Sequence, residues 1–422
     1  MTNEVTRWSP LSPSHPRLQA GCRAIVVAVD SSLIGGCAPD HPVEIATKIS
    51  REIAAAHAGD VDLRSRFPSE TFDALRRAKL LSAAVPIELG GRGCDFAELA
   101  EICTILAQGC ASSAMIFAMH SVQVVSIVNH RRGVAAVDDY LRTIVEEERL
   151  IASATSEVGI EGDLRRSIAF VERALDDRFC FEKAASASSY CEHADDLLLS
   201  LRRDSASAAS DQVLALVMRG EFELADVGSW NALGMRGTCS PPARISGRGA
   251  AWQILPDSFR DIVSATMVPA SHILWAAVWL GIAVDAHDRA RRFLQIKSRK
   301  EPDGVAIGSN RLGALSRAVR TMRSQLDASI RATLECDRPF DPESTSQPGA
   351  VLAINDLKLS LSEGVVEVVH QAVQIVGITA YRNEGEFSLA RHLRDAYSAP
   401  LMINNDRIRA TNADLLLVHK GS

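Results

Sequence analysis

The sequence predicts an α+β protein with helices at both ends and a β unit between them. Three observations carry this. From Val43 onward apolar residues recur at helical spacing, as in Ile45, Ile49 and Ile53. From Ile151 to Met218 the pattern breaks into short strand-like runs punctuated by turn signals, among them Phe179–Phe181, Leu197–Leu201 and Val213–Met218. After Pro256 long helical stretches return.

The first region, residues 1–43, mixes Pro10, Pro13, Pro16, Pro39 and Pro42 with Ser and Gly and reads as an irregular arm. An N-terminal helical domain is expected over 44–150. Within it Asp95 and Glu98 fit a capping box, and Ala111–His130 is apolar almost all round, which marks a central helix. His120 lies in that helix and reads as a satisfied core histidine. The β domain is expected over 151–258 and antiparallel, with the Ser-Ala-rich tract after Asp204 as a surface loop. The last region, 259–422, is expected to be a four-helix bundle. Its long helices run over Ile273–Lys300, about Asn310–Cys336 and Val351–Val376, with a proline-rich hinge from Asp337 to Pro348.

Composition narrows the function. A chain of 422 residues, 47% hydrophobic and 23% charged, can bury a large core divided among two or three subdomains. The net charge of −6 gives no electrostatic footprint for nucleic acid. Nine cysteines with no Cys-x-x-Cys pair and no opening signal peptide point to reduced thiols in a cytoplasmic protein without a metal site. The longest apolar run, Ile273–Val284, falls short of the roughly 20 residues of a membrane span. There is no Gly-x-Gly-x-x-Gly, Walker-type or Gly-x-Ser-x-Gly motif and no His-x-x-x-His, so nicotinamide folds, P-loop enzymes, α/β-hydrolases and zinc hydrolases are disfavoured.

The motifs that remain are Ser156-Glu-Val-Gly-Ile-Glu-Gly-Asp163, Trp230-Asn-Ala-Leu-Gly-Met-Arg-Gly-Thr-Cys-Ser240, Arg299, and the closing stretch from Gln374-Ile-Val-Gly377 through Arg394-Asp-Ala396 to Asn404-Asn-Asp-Arg-Ile408. In this order they resemble the acyl-CoA dehydrogenases, and the helix–sheet–helix order is that family's architecture. The resemblance implies an FAD-dependent oxidoreductase. Ser156 and Ser189 would lie at the flavin ring, Arg299 would neutralise its pyrophosphate, and Gln374, Gly377 and Asn405 would contact the cofactor, Gln374 and Gly377 from a neighbouring subunit. It implies a homodimer or homotetramer, an acyl-CoA or other acyl thioester as substrate, and an electron-transfer flavoprotein or a flavin reductase as redox partner.

The family's catalytic glutamate is missing. Dehydrogenation requires a carboxylate to take the α-proton while the flavin accepts the β-hydride. The two positions that hold this glutamate in the family are Ile403 and Ser271 here. His272, with an ordinary pKa of about 6.5, is the substitute base that the sequence offers, with Asp406 second. The leading expectation is α,β-dehydrogenation of an acyl thioester. A flavin-dependent monooxygenase, which needs no such base, is the alternative. A non-catalytic acyl-thioester binder is a third reading, motivated by Ile378 and Ala380 where the family usually has glycine.

Overall fold

The computed structural model describes residues 41–160, 163–174, 176–300, 309–335 and 341–418. Residues 1–40 of the expected N-terminal arm, Glu161, Gly162 and Cys336 lie outside these residues, as does the start of the expected hinge; Pro42 and Val43, expected in the arm, open the first helix instead, proline being tolerated at the first helical position.

Helices α1 (Pro42–Ile49), α2 (Ala55–Arg64), α3 (Ser69–Arg77), α4 (Phe96–Gly109), α5 (Ala111–His130) and α6 (Ala135–Glu147) form the first layer. Asp95 caps α4 as expected, accepting from Glu98 N while Glu98 returns a bond to the Asp95 backbone. His120, fully buried on α5, accepts from Ile151 N at 3.0 Å and donates to Leu81 O at 2.7 Å. It is a neutral clamp between the helices and the first strand. Burial pushes its pKa down to about 4.

Seven strands follow: β1 (Ile151–Ala154), β2 (Glu172–Arg173), β3 (Arg178–Ala185), β4 (Asp196–Arg202), β5 (Gln212–Met218), β6 (Phe222–Ala225) and β7 (Ala243–Ala250). They make two sheets, ordered β1-β4-β5 and β2-β3-β7-β6. The expectation of a wholly antiparallel unit is corrected beside β4, because β1 runs parallel to it and Phe170 makes a parallel bridge to Arg202 at its end. A parallel neighbour buried on both faces reads as a continuous apolar run, and both β4 and β5 are buried along nearly their whole length. Strand β7 carries Gly247 and Gly249 where the opposing residues are Phe181 and Phe179. A Cβ on either glycine would come within 2.9 Å of the facing ring, so the glycines make room for two aromatics.

The chain then returns to helix through α7 (Phe259–Ile262), a π-helical turn (Val263–Met267), α8 (Val268–Lys300), α9 (Ser309–Leu334), α10 (Pro342–Thr345), α11 (Pro348–Val376), α12 (Ile378–Tyr381), α13 (Ala390–Ala396) and α14 (Asn405–Val418). Helix α8, 33 residues long, packs on α4, α5, α9 and α11. Its Gly281 is required by that packing: a Cβ there would lie 2.3 Å from Thr104 O on α4. Two segments, Ala111–His130 and Phe259–Lys300, are long and apolar enough to cross a membrane by length and composition alone, and their apolar windows are 89% and 83% buried inside this fold. They serve as core helices. Cys94, Cys103, Cys110, Cys180, Cys191 and Cys239 are free thiols. Among the described residues no group of three or more His, Cys, Asp or Glu side chains could hold a metal.

Candidate active site

Two neighbouring cavities open where α5, the β unit, α8 and the closing turn meet. The first, about 460 Å3, is lined by Met119, Val122 and Gln123 of α5, by Ser153, Thr155 and Ser156 after β1, by Ser271 and Trp275 of α8, and by the turn Leu401–Asn404. The second, about 430 Å3, is lined by Met115 and Met119, by the Trp230–Ser240 loop, and by Arg394 and Tyr397. Met119, Ala187, Ser189, Leu401 and Met402 line both, so the cavities meet at Ser189. A larger apolar cavity of about 560 Å3 lies between the π turn, α9, α10 and α11 and contains none of the motif residues.

Backbone conformation around the two cavities is unusual. Tyr190, Met235 and Ile403 take φ values of 43°, 50° and 45°, and all three line a cavity. For a β-branched residue such as Ile403 the left-handed region is an outlier that the surroundings must impose. Lys358 of α11 imposes it. Its ammonium, fully buried, donates to Ile403 O at 3.0 Å, to Ala399 O at 3.3 Å and to Asn405 Oδ1, and lies 5.8 Å from the centre of the Trp279 ring. Burial pushes the Lys358 pKa down to about 8, so it is still protonated at neutral pH. Asn405 is held in turn by Ser362 and Glu363. The residue expected to contact cofactor is thus a buried anchor of the cavity turn, and it lines neither cavity.

The two strongest motifs explain each other. In the Leu-Gly-Met-Arg loop, a Cβ on Gly234 would lie 2.1 Å from Arg394 O and 2.7 Å from Asp395 N. Met235 N donates to Asp395 Oδ1 at 2.6 Å. Arg394 pairs with Asp62, whose backbone carbonyl also accepts from Arg236 Nε at 2.7 Å. Leu-Gly-Met-Arg and Arg-Asp-Ala are therefore two halves of one docking contact that closes the second cavity. Asp395 is 2% exposed, and burial raises its pKa to about 6.

The remaining site residues divide by location. Ser156 lines the first cavity, but its hydroxyl donates to Ala187 O at 2.5 Å and accepts from Ala187 N at 3.1 Å, so it pins the 187 loop. Glu157 beside it takes Lys183 and two backbone amides in a buried structural cluster. Ser189 stands at the junction in a chain of hydroxyls, 2.9 Å from Ser240, which is 2.9 Å from Thr238. Arg299, Gln374 and Gly377 line neither cavity. Arg299 is exposed near the end of α8. Gln374 bonds His370 through Nε2 at 2.7 Å and accepts from Arg311 at Oε1. Gly377 takes φ +73° in open space after α11.

His272, the expected base, is turned into the helical core. It is 1% exposed, its Nδ1 lies 3.3 Å from Ile354 O, and burial lowers its pKa to about 4. Its neighbour Ser271 faces the cavity, because adjacent helical residues point about 100° apart. Asp406 is solvent-exposed and paired with Arg409. No carboxylate and no imidazole lines either cavity among the described residues; the charged residues there are Arg407 and Arg394. Sequence reasoning missed Lys358, which looks from its spacing like any polar residue on a helix.

Comparison with known proteins bears on the fold. Residues 43–148 match the family model described as acyl-CoA dehydrogenase, N-terminal domain. The chain is 24% identical over 365 residues to cyclohex-1-ene-1-carbonyl-CoA dehydrogenase of Syntrophus aciditrophicus (strain SB), covering 85% of this chain and 84% of that one. It is 24% identical over 396 residues to the amino sugar nitrososynthase DnmZ of Streptomyces peucetius, covering 87% and 91%. Among solved structures, FMN-bound TdsC of Paenibacillus sp. A11-2, a dibenzothiophene monooxygenase, superposes with a TM-score of 0.77 at 17% identity over 90% of this chain and 98% of that chain. The protein has the acyl-CoA dehydrogenase family fold. Proteins similar to it in sequence include a dehydrogenase and a nitrososynthase, and a dibenzothiophene monooxygenase shares the fold.

Proposed function

We propose that the protein is a flavin-dependent monooxygenase acting on a small neutral organic molecule. One observation carries the reading: among the described residues, the cavities that meet at Ser189 are lined by no carboxylate and no imidazole able to take an α-proton. Ile403 and Ser271 fill both positions where dehydrogenation would need a carboxylate, and His272 faces away from them. Oxygenation has no such requirement. What it needs from the chain is a site that admits oxygen and an apolar molecule while keeping bulk water out. Walls built from Met119, Val122, Val263, Trp275, Leu401 and Met402 suit that need.

Ser189 with its hydroxyl partners and the Leu-Gly-Met-Arg loop would hold the flavin ring. Bound there in its reduced form, flavin would supply two electrons and the oxygen-activating chemistry, with one atom of O2 going to the substrate and the other to water. Between FAD and FMN, the mononucleotide fits this chain better. The Gln374 side chain, which would contact the dinucleotide, is engaged by Arg311 and His370, and Ile378 adds exposed bulk beside it. FMN bound to TdsC is in keeping with this choice.

Purified protein supplied with FMN and a separate NADH-dependent flavin reductase is expected to transfer 18O from 18O2 into members of a panel of neutral aromatic and heterocyclic compounds. Absence of label in every product, with oxygen consumed only to peroxide, would refute the reading.

A further inference from the structure

Thioethers are concentrated around the two cavities. Five of the chain's eight methionines, Met115, Met119, Met235, Met267 and Met402, line one or both of them, and no cysteine does among the described residues. Methionine is unbranched and polarisable, so it suits a wall that must fit ligands of more than one shape. It is also open to oxidation, by addition of one oxygen atom to sulfur.

The five are not equivalent. Met115, Met235 and Met267 are 1%, 4% and 9% exposed, whereas Met119 and Met402 are partly exposed. These two are also the ones that the cavities share. Of the residues common to both linings, Met119, Ala187, Ser189, Leu401 and Met402, only the methionines carry an atom that takes up oxygen. Neither sits on a segment free to withdraw. Met119 lies midway along the buried helix α5, one turn after Met115. Met402 lies in the turn that Lys358 pins through Ala399 O and Ile403 O, and its amide donates to Ser398 O at 3.0 Å. On the reading above, the pair is fixed where flavin ring and substrate would meet.

We propose that Met119 and Met402 are a self-oxidation site: when O2 meets reduced flavin at the junction and the first cavity holds no substrate, the oxygen atom otherwise given to substrate goes to one of these sulfurs. Sulfide, O2, two electrons from the reduced flavin and two protons give sulfoxide and water. The side chain changes from apolar to polar, which spoils the wall of both cavities at once. Idle turnover therefore switches the site off, and a methionine sulfoxide reductase switches it back on. This rests on oxygen being activated at the junction, as proposed above; it adds where the oxygen goes when substrate is absent.

The test maps sulfoxides by fragment-ion mass spectrometry in two arms. In the first, hydrogen peroxide is added to flavin-free protein. Met119, Met402 and Met218, which is partly exposed but lines neither cavity, are expected to oxidise at least about fivefold faster than the buried Met115, Met235 and Met322. In the second arm, FMN-loaded protein turns over with NADH, a flavin reductase and 18O2, under excess catalase and without substrate. Labelled sulfoxide is expected at Met119, Met402 or both, at least about fivefold above Met218, because catalase destroys free peroxide before it reaches Met218. FMN affinity should fall as the label accumulates, and a Met119→Leu, Met402→Leu double variant should keep its affinity through the same number of turnovers. Should that variant fail to fold, the wild-type map decides alone. The proposal is overturned if both thioethers resist peroxide as the buried methionines do, if neither takes up 18O, or if Met218 is labelled to the same extent. Label in a compound of the substrate panel with none on the thioethers would leave the proposed reaction standing and defeat this inference. Label on the thioethers with none in any compound would sustain the inference and fail the proposed substrate.

Discussion

Replacing Gly234 by alanine should undo the contact that joins the two motifs. The added Cβ would sit 2.1 Å from Arg394 O and 2.3 Å from Arg394 C, where nonbonded carbon needs roughly 3.5 Å. The obstacle is helix backbone in α13, which cannot rotate aside as a side chain would. The loop must therefore withdraw by roughly 1 Å, enough to break the 2.6 Å bond from Met235 N to Asp395 Oδ1. Asp395 would then keep a buried carboxyl without its backbone donor. A hydrogen bond to a charged group is worth about 1.5–3 kcal/mol, and the steric cost adds to it, so a loss of about 3 kcal/mol or more is expected. Chemical denaturation of the purified variant measures this directly. Gly313→Ala is the control, since an added Cβ on that exposed position of α9 meets nothing within 4 Å; it should stabilise by about 0.5–1 kcal/mol. Gly234→Ala within about 1 kcal/mol of wild type would refute the docking argument.

Three other outcomes follow from the same site. Burial raises the Asp395 pKa to about 6, so its contribution to stability is full below the unfolded value and is lost as pH rises through about 6; Asp395→Asn should flatten the stability–pH curve between about pH 4 and 6. Lys358→Met removes the donor shared by Ala399 O, Ile403 O and Asn405 Oδ1 and should cost about 3 kcal/mol, with limited proteolysis reporting early cleavage in the 399–404 turn. His272→Leu should leave single-turnover rates within about twofold of wild type, because the imidazole faces Ile354 and not the cavity; a tenfold or greater fall would return His272 to the chemistry.

The fold was legible in the sequence wherever one period dominated. The capping box at Asp95, the all-apolar α5 and the apolar runs of β4 and β5 are where their patterns put them. Strands β6 and β7 were not legible, since Gly247 and Gly249 belong in β7 only because Phe181 and Phe179 lie across from them. The site was legible as motifs and not as roles. Spacing identified Gly234, Met235 and Asp395 but could not say that they bind one another across 160 positions of sequence. Nor could it show that Asn405 serves Lys358, or that one residue of helical rotation turns Ser271 toward the cavity and His272 away from it.

Among the described residues the two cavities offer no base for α-proton removal. Anaerobic titration of the flavin-loaded protein with acyl-CoAs of short, medium, branched and aromatic acyl groups tests it most directly. The flavin absorbance is expected to stay unbleached with all of them, while dithionite reduces it fully. Bleaching by any acyl-CoA, with the matching enoyl-CoA formed, would contradict the claim.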